Sequence, residues 1–285
     1  MAKRRKSSGG FFKFIKLVFV LLFLAILGFV GFYFVYPDVS KMARQNPDKT
    51  SFMEYREKEW MSKGKKVKIQ KRWVTLSRMS PFLVKAVMIA EDDKFWSHHG
   101  FDLDAIQKAL EKDLEKGKLK VGGSTISQQL VKNLYLTPSK SPVRKLKETI
   151  ITWRMERTLT KRRILELYLN VVEWGEGIFG AEAASQHYFG KPAASLTAEE
   201  AAKLAVILPN PIRYKVNGSS KYTERRAKII YNIMVKRGIV MPEYEEVIKT
   251  PQAEVKDEKP AQTDNSESKE GPIGGKNPGW SPDAR

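Results

Sequence analysis

The chain has 285 residues, 51 Lys+Arg against 32 Asp+Glu and 42% hydrophobic residues, which is enough for one ordinary domain with appendages and too short for two large catalytic domains. It contains no cysteine, which excludes disulfides, thiolate zinc sites and a cysteine nucleophile. Its three histidines, two of them adjacent (His98 and His99), speak against a multi-histidine metal cage, and no repeat suggests a solenoid.

Residues 1–16 are basic, with Lys3, Arg4, Arg5, Lys6, Lys13 and Lys16 and no acid. Residues 17–37 carry no charge and are mostly Phe, Leu, Val and Ile. About 20 such residues cross a hydrocarbon core as a helix. A cleaved signal peptide would have a shorter apolar part, about 7–15 residues, followed by an A-x-A-like site. This run instead ends in Phe32-Tyr33-Phe34-Val35-Tyr36, in the manner of an interfacial aromatic belt, so an uncleaved anchor is expected. The six N-terminal cations put residues 1–16 in the cytoplasm and everything after Pro37 outside.

Residues 38–64 read as a polar stem. Val67, Ile69 and Trp73 alternate partially, as in a strand or ribbon. The pattern then turns helical. Ser80-Pro81 starts a helix with Leu83, Val84, Val87 and Met88 inward, ending at Glu91. A second follows Asp102, with Ile106, Leu110 and Leu114 on one face and Gly117 as its stop. Residues 117–123 form a basic loop. Ser124 is expected to cap a helix carrying Ile126, Leu130 and Leu134. Ser141-Pro142 starts another, with Leu146, Ile150 and Trp153 inward. Thr160 caps the next, Thr197-x-x-Glu200 is a capping box before an Ala-rich helix, and a last long helix runs from about Thr223 to Arg237. Residues 171–180 are Gly-rich and bent. The tail, residues 250–285, is rich in Pro, Gly, Ser, Glu and Lys without apolar period and reads as disordered. The fold class is therefore mainly α with little sheet. Residues 37–249 carry a net charge of +15, which suits anionic partners such as lipid head groups, pyrophosphates or acidic polymers; nucleic acid is a poor candidate outside the cytoplasm.

Three stretches hold residue types that do chemistry. In Glu91-Asp92-Asp93-Lys94-Phe95-Trp96, acids sit at the negative end of an apolar helix. Burial of a carboxyl against Phe95 and Trp96 would raise its pKa toward that of a general base; the plain alternative is a solvated acidic turn. In residues 122–133, two glycines and two hydroxyls open a helix whose N-terminus suits an anion or a sugar, or is simply well capped. Lys140, Arg144, Lys145 and Glu148 form either a helix-surface salt bridge or a cationic clamp for phosphate.

Together these stretches resemble the peptidoglycan glycosyltransferases of glycosyltransferase family fifty-one. The first matches E-D-x-x-F-x-x-H-x-G at Glu91, Asp92, Phe95, His98 and Gly100. The second matches G-x-S-T-I-x-Q-Q-L-x-K-N at Gly122, Ser124, Thr125, Ile126, Gln128, Gln129, Leu130, Lys132 and Asn133. The third matches R-K-x-x-E at Arg144, Lys145 and Glu148. A fourth motif runs from Lys161 to Asn170, and a fifth is the pair Arg225-Arg226. Residues 173–180 look like the family's monofunctional branch, and no K-T-G accompanies either S-x-x-K, so no penicillin-binding transpeptidase is expected. One departure is Lys140, where many members carry Arg; it keeps the charge and loses the bidentate fork.

The resemblance implies a lysozyme-like, mainly α glycosyltransferase domain over residues 65–249 with a small jaw subdomain near the membrane. It implies a single-pass protein of the bacterial inner (cytoplasmic) membrane with its catalytic domain extracytoplasmic. Lipid II and the nascent glycan strand are the implied partners, with cell-wall synthesis proteins as possible others. Glu91 would be the base for an acceptor hydroxyl, while Lys132, Lys140, Arg144 and Lys145 would hold the departing pyrophosphate. Glu148 would orient them, and Ser124, Thr125, Gln128, Gln129 and Asn133 would line the cleft. No metal ligand set is readable; a Mg or Mn ion bridging the substrate pyrophosphate is the cofactor to be expected, if any. A membrane-anchored muramidase and a catalytically silent adaptor for wall synthesis are the alternatives.

Overall fold

The structure is a computed structural model and describes residues 9–115, 123–139, 141–216 and 220–241. Lys3 to Lys6, Gly117, Gly122, Lys140 and the tail 250–285 lie outside the described residues.

Helix α1, Gly9–Tyr33, contains a stretch of 23 residues, Phe11–Tyr33, long and apolar enough to cross a membrane. It starts and ends earlier than the charge-free run 17–37. Lys13 and Lys16 do not interrupt it, because their long apolar stems lie along a helix while the charged heads reach a polar phase. At its other end the chain tightens into i→i+3 bonds, Phe34 N–H to Gly31 O and Val35 N–H to Phe32 O, both 3.1 Å. Residues 38–64 are more ordered than a loose stem. Asp38 caps a 3-10 turn, Val39–Ala43, and Thr50 caps α2, Ser51–Ser62, which buries Met53 and Trp60.

The helical domain follows. Ser80 caps α3, Pro81–Glu91, and Asp102 accepts from Ala105 N–H at the start of α4, Leu103–Glu115. Helix α5, Ile126–Tyr135, is central: it packs against α2, against α6, Pro142–Thr158, and against α7, Lys161–Val171. Its buried face is almost continuous, from Ile126 to Leu134. Helix α8 is Ala181–Phe189, α9 is Ala198–Ile207 and α10 is Lys221–Lys236; α9 is sandwiched between α3 and α10. The Ala-rich sequence of α9 explains this, since small side chains let two helices approach closely.

Three expectations need correction. The cap of α5 is Thr125 and not Ser124, which is exposed. Thr125 Oγ1 accepts from Gln128 N–H and donates to Gly100 O at 2.7 Å, a tertiary contact that decides between two adjacent hydroxyls. On α6 only Ile150 of the expected inward set is buried; Leu146 is 44% and Trp153 39% exposed. The buried stripe runs instead through Glu148, Ile151, Thr152 and Met155. Trp153 turns toward the anchor, edge-to-face with Phe34 at 5.7 Å. The strand expected around residues 67–73 shrinks to β1, Gln70–Lys71. The bend at 171–180 is a hairpin of β2, Glu173–Gly175, and β3, Ile178–Phe179. Strand β3 lies between them, parallel to β1 and antiparallel to β2. Gly180 ends the hairpin at φ +87°, where a Cβ would stand 2.8 Å from Asn170 O. Asn170, at the end of α7, binds Val74 through both its amide groups, at 2.8 and 2.9 Å, and so holds the segment leading to α3.

Candidate active site

The three acids after α3 separate into different roles. Asp93 is exposed and forms a fork with Arg237 at 2.5 and 2.8 Å. Asp92 is buried. Its Oδ2 accepts from Ile126 N–H at 2.9 Å, at the first turn of α5, and His98 Nε2 lies 2.9 Å from its Oδ1. Gly100 N–H donates to His98 Nδ1 at 3.1 Å, so the neutral ring carries its proton on Nε2 and donates to Asp92. Gly100 sits at φ +92°, and a Cβ there would lie 3.0 Å from both Glu156 and Thr152. Phe95 is fully buried beneath Lys161, whose ammonium lies 4.4 Å from the ring centre. The stretch from Asp92 to Gly100 therefore folds back on the start of α5 and fixes the end of α3 against it.

That leaves Glu91, the last residue of α3, facing α5. Its Oε2 accepts from Gln129 Nε2 at 2.7 Å. Gln129 Oε1 in turn accepts from the fully buried Tyr168 hydroxyl at 3.1 Å. With its carbonyl oxygen claimed by Tyr168, the Gln129 amide has to present its NH2 to Glu91. Burial pushes the Glu91 carboxyl above its usual range, while Gln129, Lys132 and Arg226 pull it back. Burial is the largest cause, although Trp96, expected as part of the cover, is 49% exposed. Burial and the neighbouring carboxylates also push the Tyr168 phenol far up, so it stays a donor.

Lys132 lies between two carboxylates. Burial drives its ammonium below the usual lysine range, and Glu148 and Glu91 draw it back up. Glu148 is 2% exposed, and each of its oxygens meets a cation: Oε2 the Arg144 guanidinium, Oε1 the Lys145 ammonium at 2.5 Å. Arg144 also donates to Ser139 O. The arrangement is Glu91, Lys132, Glu148, then Arg144 and Lys145, with Arg226 of α10 reaching Glu91 electrostatically. Positive charge is in excess over the two carboxylates, which suits a doubly charged leaving group.

The structure thus brings together Glu91, Gln129, Lys132, Arg144, Lys145 and Glu148. Ser124 is exposed beside the start of α5. Thr125 and Gln128 form the capping box, with Gln128 Oε1 accepting from Thr125 N–H at 3.1 Å, and Asn133 is buried. These residues build the helix that carries Gln129 and Lys132. Among the described residues, no three His, Cys, Asp or Glu side chains are grouped to hold a metal. From sequence, Tyr168 falls inside the fourth motif, Lys161 to Asn170, with no role assigned to its hydroxyl. The available signal was chemical, since a buried tyrosine hydroxyl usually finds a partner.

A transglycosylase family model matches residues 57–235. The chain is 44% identical over 219 residues to the biosynthetic peptidoglycan transglycosylase of Nitrosospira multiformis, covering 77% of this chain and 95% of that protein. It is 46% identical over 212 residues to that of Dechloromonas aromatica, covering 73% and 92%. To the protein of the same name from Azoarcus sp. it is 52% identical over 181 residues, covering 64% and 78%.

Proposed function

We infer that this chain, which belongs to the transglycosylase family and elongates peptidoglycan glycan chains, takes lipid II as its substrate and transfers the growing strand onto it. Glu91 removes the proton from the acceptor 4-hydroxyl as that oxygen attacks the donor's anomeric carbon. The bond from that carbon to the α-linked pyrophosphate breaks, undecaprenyl pyrophosphate leaves with the electron pair, and a β-1,4 bond forms with inversion. The observation that carries this reading is a single carboxylate, Glu91, raised by burial yet held ionisable by Gln129 and Lys132.

Pyrophosphate is a good leaving group and needs cations more than a proton. Lys132, Arg144 and Lys145 supply them, and Lys140, outside the described residues, is a further cation by sequence alone. Glu148 holds Arg144 and Lys145 through both its oxygens, which supports an orienting role and speaks against the protonated acid that a hydrolase pairs with its second carboxylate. A Mg or Mn ion, where one takes part, would be held by the substrate's phosphates and water and would supply charge neutralisation there, since the described residues group no three His, Cys, Asp or Glu side chains to hold it. Helix α1 anchors the enzyme in the inner membrane, with the basic N-terminus cytoplasmic and the domain outside, beside its lipid-borne substrate.

The test is the fate of the substrate. Detergent-purified protein and labelled lipid II should give a polymer of β-1,4-linked disaccharides and undecaprenyl pyrophosphate in equal turnover. Release of reducing sugar from purified sacculi, without polymer from lipid II, would replace this reading by the muramidase.

A further inference from the structure

The outer end of α1 and the start of α6 enclose a cavity of about 360 Å³ that borders the site above through Arg144. Three kinds of residue line it. Tyr33 and Tyr36 come from the end of the anchor, Tyr135 from the end of α5, and Ser139, Ser141 and Lys147 from the α5–α6 connection and α6. Seven of the lining residues carry hydroxyl groups.

Two of these groups lack what their surroundings would normally provide. The Tyr135 hydroxyl is buried with no hydrogen-bond partner among the described residues, and burial pushes its pKa to about 12, so it remains a donor. An unpartnered buried hydroxyl is a standing cost to the fold that a bound acceptor would relieve. Asp38 is near enough to act on it electrostatically, but its carboxylate binds Ser40 through both N–H and Oγ. Lys147 has no carboxylate partner among the described residues. It lies 4.8 Å from the Tyr33 ring and 5.3 Å from that of Phe29, on the side of the helix that leaves the membrane. Arg144 reaches the same cavity, but its guanidinium is engaged by Glu148.

Depth supplies the third observation. The apolar stretch Phe11–Tyr33 is 23 residues, roughly 35 Å of helix, against a hydrocarbon core of about 30 Å. Spanning such a core, the stretch would bring its end, and hence the cavity, to the level of the lipid phosphates. Arg154 fixes the joint there by donating to Tyr33 O at 3.1 Å and Val35 O at 2.7 Å. Beside it α6 exposes Val143 and Leu146, whose apolar surface a bilayer would cover.

We propose that this cavity binds the phosphate head group of an anionic membrane phospholipid, with Lys147 as the counter-charge and the Tyr135 hydroxyl as a donor to a phosphate or head-group oxygen. The bound lipid wedges anchor and domain together at a fixed height above the membrane.

The experiment uses the full chain in detergent, with native mass spectrometry counting retained phosphatidylglycerol, phosphatidylcholine and inorganic phosphate. Wild type should hold one phosphatidylglycerol in preference to phosphatidylcholine. Lys147→Ala should weaken that binding about tenfold, Tyr135→Phe should weaken it severalfold, and Lys147→Arg should restore it. Equal melting curves across the variants exclude misfolding as the cause. Equal retention of phosphatidylcholine, unaltered binding in both variants, or binding of inorganic phosphate as tight as that of the lipid would overturn the proposal. So would one-for-one displacement of phosphatidylglycerol by lipid II, because the cavity would then belong to the substrate.

Discussion

Replacing Tyr168 by Phe removes one oxygen from a fully buried ring and leaves its packing intact. In the wild type, that hydroxyl donates to Gln129 Oε1, which commits the amide NH2 to Glu91 and favours the ionised carboxylate. Without it, Gln129 can turn over and accept a hydrogen bond from protonated Glu91, so the protonated state gains stability. The difference between these two arrangements is about one hydrogen bond, roughly 1 kcal/mol, or somewhat under one pKa unit. The acid limb of the rate profile for lipid II polymerisation should therefore move up by about half to one pH unit. Global stability should fall by about 1–2 kcal/mol, or some 2–8 °C in melting temperature. Initial rates between pH 5 and 9, beside a melting curve, measure both. A uniform drop in rate with an unmoved acid limb would refute Tyr168 as the group that orients Gln129.

The other predictions concern carboxylates away from Glu91. Glu148→Gln should lower turnover by about a hundredfold through misplaced Arg144 and Lys145, while the basic limb of the pH profile stays in place; loss of that limb would make Glu148 a proton donor. Glu173 is bound by Arg56 of α2 at 2.7 and 2.9 Å, yet burial dominates and pushes its carboxyl up to about 7. A folded pKa above the unfolded 4.5 means that the folded state holds the proton more tightly. The contribution is full below pH 4.5 and lost as pH rises through about 7, by on the order of 3 kcal/mol. Melting temperature against pH should be flatter over that window in Glu173→Gln, and an unchanged slope would show that Glu173 does not titrate there.

What sequence revealed and what it hid follow one division. Helix starts were legible where the signal is local. Ser80-Pro81, Ser141-Pro142, Thr160 and Thr197-x-x-Glu200 each cap the helix they were expected to cap, because the donor and acceptor lie within a few residues. Glu91 lies on the first of those helices and Arg144, Lys145 and Glu148 on the second, while Lys132 lies on α5. Features that depend on distant residues were hidden. Thr125 rather than Ser124 caps α5 because Gly100, far along the chain, accepts its hydroxyl. Leu146 and Trp153 looked like core residues because apolar side chains usually face protein; here both stay exposed, and Trp153 meets Phe34 just past the end of α1. The hairpin at 173–179 lacks alternation, and its third strand comes from residues 70–71. The Tyr168 hydroxyl was hidden because its partner, Gln129, lies on another helix.

The base assignment is tested most directly by Glu91→Gln, which keeps size and hydrogen-bonding capacity and removes the group that takes the proton. With the full chain in detergent, wild type should build long, lysozyme-sensitive glycan from fluorescent lipid II. The variant should bind lipid II with similar affinity and make no polymer. Comparable polymer from the variant would contradict Glu91 as the base.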